Sequence, residues 1–178
     1  MKRNLIPMFI LFICISASYG QLKERDNLLG PSLGFWPSGS APTFGLNYEN
    51  QLTQEGPGTI SLGGVFRFTT WRSNITSNDY WSVSYYTFGV QSNYNFNEIG
   101  EGKFVPFVGL VLGINSVSYS HTGPNLLYTY SGSGSGFWLW LQGGMRYFFT
   151  PKVAGSLRLG FGPYFDYNTI EIGVDFKL

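Results

Sequence analysis

The chain has 178 residues, enough for one domain and hardly for two. Its 11 Lys and Arg against 10 Asp and Glu leave a net charge of +1, which excludes the strongly basic balance of a nucleic-acid-binding protein. Aromatic residues make up 19% and charged residues only 12%, about half the usual quarter, as suits a surface that faces lipid.

Lys2 and Arg3 precede an apolar run from Leu5 to Ile15, and Ser18-Tyr19-Gly20 offers small residues at the two positions a signal peptidase reads. Residues 1–20 are therefore expected to be a cleaved secretory signal, with Gln21 first in the mature chain. The apolar run is short of the roughly 20 residues that a membrane-spanning helix needs. Loss of Lys2 and Arg3 takes the net charge from +1 to −1, and loss of Cys14, the only cysteine, leaves no internal disulfide.

Beyond the signal, no stretch is apolar over ~18 residues, so a helical membrane protein is excluded. What recurs is period-two alternation between clusters of Gly, Pro, Asn and Ser. After a short segment, 21–27, it predicts strands near 28–36 (the faintest), 43–51, 59–71, 80–95, 104–119, 135–149, 153–162 and 168–178. Residues 28–178 then form an all-β domain, a closed up-and-down antiparallel barrel of eight strands. An even count places both termini on the periplasmic side.

The faces follow strand by strand. In "PTFGLNYENQ", Phe44, Leu46 and Tyr48 oppose Gly45, Asn47 and Glu49. In "TISLGGVFRF", Ile60, Leu62, Phe66 and Phe68 oppose Ser61, Gly63 and Arg67. In "GFWLWLQGGMRYFF" the outward set is Phe137, Leu139, Leu141, Met145, Tyr147 and Phe149, leaving Gln142, Gly144 and Arg146 inward. In "KVAGSLRLGFG", Ala154, Ser156 and Arg158 face in, and in the closing "NTIEIGVDFKL" Glu171 and Asp175 oppose an apolar face. A barrel of eight strands has an interior about filled by side chains, so inward charges must pair. Arg67, Arg146 and Arg158 against Glu49, Glu171 and Asp175 are expected to form an ionic network that fills the lumen, Arg158 pairing with Glu171. The inward glycines Gly45, Gly63, Gly144, Gly160 and Gly173 are expected to make room for the arginines. Trp36, Trp71, Trp81, Tyr94, Tyr119, Tyr147, Phe149 and Phe176, near strand ends, are expected to form aromatic girdles at the membrane interfaces.

At "FFTPKVAGSLRLGFG", a tight turn between two strands, and "KFVPFVGLVLGINS", a strand punctuated by Pro and Gly, the chain resembles the small outer-membrane β-barrel proteins of Gram-negative bacteria, of the OmpA/OmpX-like eight-stranded type. The resemblance covers almost the whole mature chain. It implies residence in the cell outer membrane, contact with outer-membrane lipid and insertion by the barrel-assembly machinery. One departure concerns that machinery: such barrels usually end in an aromatic residue, whereas this chain ends Phe176-Lys177-Leu178.

The predicted external loops are 37–42, 72–79, 120–134 and 163–167, and the periplasmic turns 52–58, 96–103 and 150–152. A surface ligand is expected to use loops 72–79 and 120–134, the latter carrying Gly/Ser repeats. His121, the only histidine, follows Ser118 and Ser120, a pairing that a serine nucleophile would need; no carboxylate stands between Gly102 and Phe165 to orient it. The sequence carries no nucleotide-binding or metal-binding motif, so neither catalysis nor a cofactor is expected. Three function classes follow: a structural or surface-interaction barrel, which the residues favour; a narrow channel for small or hydrophobic solutes; and a lipid A-modifying enzyme.

Overall fold

The computed structural model describes residues 22–35, 41–76, 79–122, 130–162 and 169–178. The signal segment and Trp36 lie outside them. Eight strands follow in chain order: β1 (Asn27–Phe35), β2 (Pro42–Glu55), β3 (Gly58–Thr76), β4 (Asp79–Phe96), β5 (Phe104–Thr122), β6 (Tyr130–Thr150), β7 (Val153–Phe161) and β8 (Thr169–Lys177). Each pairs antiparallel with its neighbours, and β1 pairs with β8, closing the barrel. Closure satisfies the edges that an open sheet would expose. The β1–β8 ladder skips Gly30 and Pro31, where proline has no N–H to give.

The alternation read from the sequence sets the two faces. Phe88, Ile114 and Ile172 point outward and are exposed, while Glu49, Gln51, Asn93, Arg146 and Asp175 point inward and are buried. This is the inverse of a water-soluble barrel and fits lipid outside.

The strands run further than the sequence suggests. β3 and β4 continue to Thr76 and from Asp79, so most of the expected loop 72–79 is strand. β5 reaches Thr122 and β6 starts at Tyr130, which absorbs both ends of the expected loop 120–134. The reason is that ladder hydrogen bonds are made by the backbone. The repeat "SGSGSG" keeps period two, and Ser131, Ser133 and Ser135 lie opposite Ser120, Ser118 and Ser116 of β5. At the other end Gly56, at φ 57°, closes a turn much tighter than 52–58. Above Thr69 on β3 and Leu141 on β6, the flanking strands β2 and β7 supply no partner among the described residues. The strands β3 to β6 therefore project as a four-stranded sheet beyond the rim that β1, β2, β7 and β8 form at that end.

The opposite end is closed by the segment before β1. Leu22 is buried with Leu28, Val105, Phe148 and Ala154. Its carbonyl accepts from Asn97 Nδ2 at 2.9 Å, and the chain is stitched to β2 by Arg25 N to Gln51 O at 2.7 Å and Gln51 N to Asp26 O at 2.9 Å. Arg25 takes a left-handed φ of 69°, and Asp26 pairs with Lys177 at the end of β8 at 2.5 Å. A strained backbone of this kind persists only where its surroundings hold it. Leu22→Asp is thus expected to release the segment and wet the cluster beneath it. A cysteine placed at Ala154 should resist a water-soluble thiol reagent in the native background and react in the Leu22→Asp background; equal reactivity would show that Leu22 seals nothing.

Candidate functional site

The inner face carries the chemistry. Arg146 of β6 is fully buried, and each of its guanidinium nitrogens has a partner. Nε donates to Asp175 Oδ2 at 2.6 Å, Nη1 to Asn95 Oδ1 at 2.5 Å, and Nη2 to Glu49 Oε1. Arg158 of β7 reaches the same two carboxylates, at 3.4 Å from Glu49 Oε1 and 3.3 Å from Asp175 Oδ2. Ser61 Oγ donates to Glu49 Oε2 at 3.0 Å, and Ser156 Oγ to Asp175 Oδ1 at 3.3 Å. Two cations and two anions thus form one neutral cluster drawn from four strands.

A second, separate pair lies closer to the projecting sheet. Arg67 Nε donates to Glu171 Oε1 at 2.6 Å, and its other nitrogens reach Asn47 Oδ1 at 2.7 Å and the Phe66 carbonyl at 2.9 Å. Ser32 Oγ donates to the other oxygen of Glu171 at 3.1 Å. Between the pair and the cluster, Gln142 Nε2 crosses the lumen to Gln91 Oε1 at 2.9 Å and Asn93 Oδ1 at 2.6 Å.

The expected pairing of Arg158 with Glu171 is not the one formed. The two residues are opposite in register on β7 and β8, yet Glu171 is taken by Arg67 and Arg158 turns to Asp175 and Glu49. In so narrow an interior a long guanidinium stem reaches past its register neighbour to other strands, so adjacency does not choose the partner. The glycines correct a second expectation. Only Gly45 clears space for an arginine: a side chain there would press on Arg67 and on Ser32. Gly160 accommodates the Trp140 indole and Gly144 the Phe107 ring, while Gly63 lies against the Tyr48 backbone and Gly173 against Pro31, Ser32 and Ser156.

Those rings are the part sequence reasoning missed. Phe107 lies beneath two arginines, 4.3 Å from the Arg146 guanidinium and 5.0 Å from that of Arg158. Such stacking satisfies a cation where no further acceptor fits. Trp138 and Trp140 pack at 4.8 Å and join Val65 and Val111 in a buried apolar cluster. The amide stripe was also missed, though "QSNYNFN" places Gln91, Asn93, Asn95 and Asn97 at period two on one face.

The girdle residues divide. Tyr94, Tyr147, Phe149 and Phe176 lie on the outer face near the end that the Leu22 cluster closes, with Tyr147 and Phe149 in edge contact at 5.4 Å. Trp71, Trp81 and Tyr119 lie instead on the inner face of the projecting sheet. Trp71 shares the parity of Arg67 and Thr69 with no register shift between, Trp81 packs on His121 at 4.7 Å, and Tyr119 covers Gly132. His121 therefore faces inward, while Ser118 and Ser120, at the alternate positions of the same strand, face outward. The stretch "SVSYSHTG" does not bring a serine to its histidine.

No protein-family profile and no curated protein matches the chain. Solved structures do. The chain is similar to Ail, the attachment invasion locus protein of Yersinia pestis, at 14% identity and a TM-score of 0.57, covering 88% of this chain and all of that one. It is similar to the N-terminal β-barrel domain of Pseudomonas aeruginosa OprF, at 14% identity and a TM-score of 0.55 over 87% and 98% of the two chains. Neisserial surface protein A aligns at 16% identity and a TM-score of 0.52, over 86% and 95%. At such identities the likeness concerns the fold. With its ring of eight antiparallel strands and its apolar outside, the chain has the fold of these eight-stranded outer-membrane β-barrels.

Proposed function

We propose that the protein is an exported structural or surface-interaction barrel of the cell outer membrane, with a lumen that conducts nothing and a projecting sheet that meets partners outside. The observation that carries this is the closed cluster of Glu49, Arg146, Arg158 and Asp175, which leaves its carboxylates and guanidinia buried and mutually paired. A hydrated pore keeps its charges wet; these are spent on one another. The apolar cluster sealed by Leu22 adds a second barrier below. Residues 1–20 act as the export signal, and the barrel-assembly machinery receives a strand ending in Leu178. The partner side is supported by Ail, named for attachment and invasion and also solved with the heparin analogue sucrose octasulfate. Here the corresponding surface is the external end of β3 to β6 with the connections near 72–79 and 120–134.

Planar-bilayer recording tests the reading. The purified barrel is expected to give no unitary conductance, and steady single-channel steps would replace the anchor by the narrow channel. Mass spectrometry of lipid A from cells expressing the protein separates both from an enzyme: the species are expected to be unchanged, and a shift by one acyl group would overturn the proposal.

A further inference from the structure

The outer face of the projecting sheet is a lattice of hydroxyl groups. The last full apolar row around these strands is Phe66, Phe88, Ile114 and Phe137, opposite one another in register. In the next row Ser116 and Ser135 already follow Phe68 and Tyr86. The row above that is Thr70, Ser84, Ser118 and Ser133, and above it Ser82, Ser120 and Ser131 continue from Arg72. Strands about 4.8 Å apart and rows about 7 Å apart turn these side chains into a regular grid of small donors and acceptors. Thr70 and Ser84 touch at 3.0 Å, so neighbouring hydroxyls are within reach of one another.

The grid carries a single charge in these rows, Arg72, whose guanidinium stacks on Tyr80 at 4.3 Å. A sheet face meant only for water ordinarily carries charges of both signs, which also guard its edges against pairing. Serine instead keeps the face flat and neutral, so that a hydroxylated layer can approach the backbone. The grid also begins one row, about 7 Å before strand tilt, above the last full apolar row, which is where headgroups follow if that row closes the hydrocarbon band.

We infer that this face is a docking surface for the uncharged saccharide headgroups of glycolipid in the outer leaflet of the membrane that holds the barrel. Sugar hydroxyls exchange hydrogen bonds with the serine rows, and the apolar rows below continue the same contact onto the acyl chains. The inference uses the outer-membrane location and is independent of whether the lumen conducts.

The test compares the native barrel with the triple variant Ser84→Ala, Ser118→Ala, Ser133→Ala in nanodiscs of three compositions: phosphatidylcholine alone, phosphatidylcholine with digalactosyl diacylglycerol, and phosphatidylcholine with phosphatidylglycerol. Inserted protein with β-sheet circular dichroism in the first composition establishes folding for both chains. The native barrel should gain about 3 °C in its unfolding midpoint with the digalactosyl lipid and nothing comparable with the anionic one, and the variant should lose that gain. An equal gain for both chains, no gain for the native chain, or the same gain with phosphatidylglycerol would each overturn the inference. Channel activity in bilayers would overturn the proposed function and leave this result standing.

Discussion

Truncating Arg146 to alanine is expected to cost the barrel about 3–5 kcal/mol, because it leaves Glu49 and Asp175 short of their shortest cationic contact in a site closed off from bulk solvent. Both carboxylates are essentially fully buried, and Arg158 meets them only at 3.3 to 3.4 Å. Arg146→Met sharpens the test. It keeps an apolar stem over Phe107 and fills the space, so lost packing is small, yet the carboxylates are stranded all the same. Urea unfolding in lipid vesicles should therefore show a large loss for both variants. Adding Asp175→Ala to Arg146→Ala should cost clearly less than the sum of the two single losses, since the second change removes a charge the first had orphaned. Additive losses below about 1 kcal/mol would mean a solvated pair, and a water-filled lumen would reopen the channel reading.

The same cycle applied to Arg158 and Glu171 should come out close to additive. They face each other across β7 and β8, but each belongs to a different ionic group. Coupling as strong as that of Arg146 with Asp175 would show that register adjacency, rather than reach across the lumen, selects the partner.

What the sequence makes legible follows from what period-two alternation encodes. It carries the parity of every residue, so strand number, closure and the inward set Glu49, Arg67, Arg146, Arg158, Glu171 and Asp175 can be read from it. It carries nothing about where a side chain ends. Arginine spans much of the interior of so small a barrel, and its partner is set by strand tilt and by which acceptors are already taken; that is why Glu171 is found with Arg67. Alternation also does not separate a membrane strand from its continuation into water, since both make the same ladder. The repeat "SGSGSG" therefore reads as a flexible loop although it pairs residue by residue with β5. Nearness to strand ends assigns Trp71, Trp81 and Tyr119 to a girdle, whereas their parity with Arg67, Gln91 and Asn115 places them on the inner face.

Leu139→Arg and Leu157→Arg should each destabilise the barrel by about 2–4 kcal/mol in bilayers, since both lie on the outer face within the apolar band and a cation there is drawn into hydrocarbon. The position of each substitution along a strand, and not its chemistry, is what decides the size of the effect. Leu139 sits opposite Leu112 of β5, one residue pair below the row of Ile114 and Phe137 when counted on the same face. Ser118→Arg, two such pairs above that row, keeps the same outward direction but leaves the band, and there the cost should fall to about 0–1 kcal/mol. A graded loss from position 139 to position 118 would locate the hydrocarbon boundary between the phenylalanine row and the serine rows. Equal small losses at all three sites would place Leu139 and Leu157 away from lipid and reverse the assignment of the two faces. Equal large losses would carry the hydrocarbon up over the serines, where hydroxyls would have no sugar to meet.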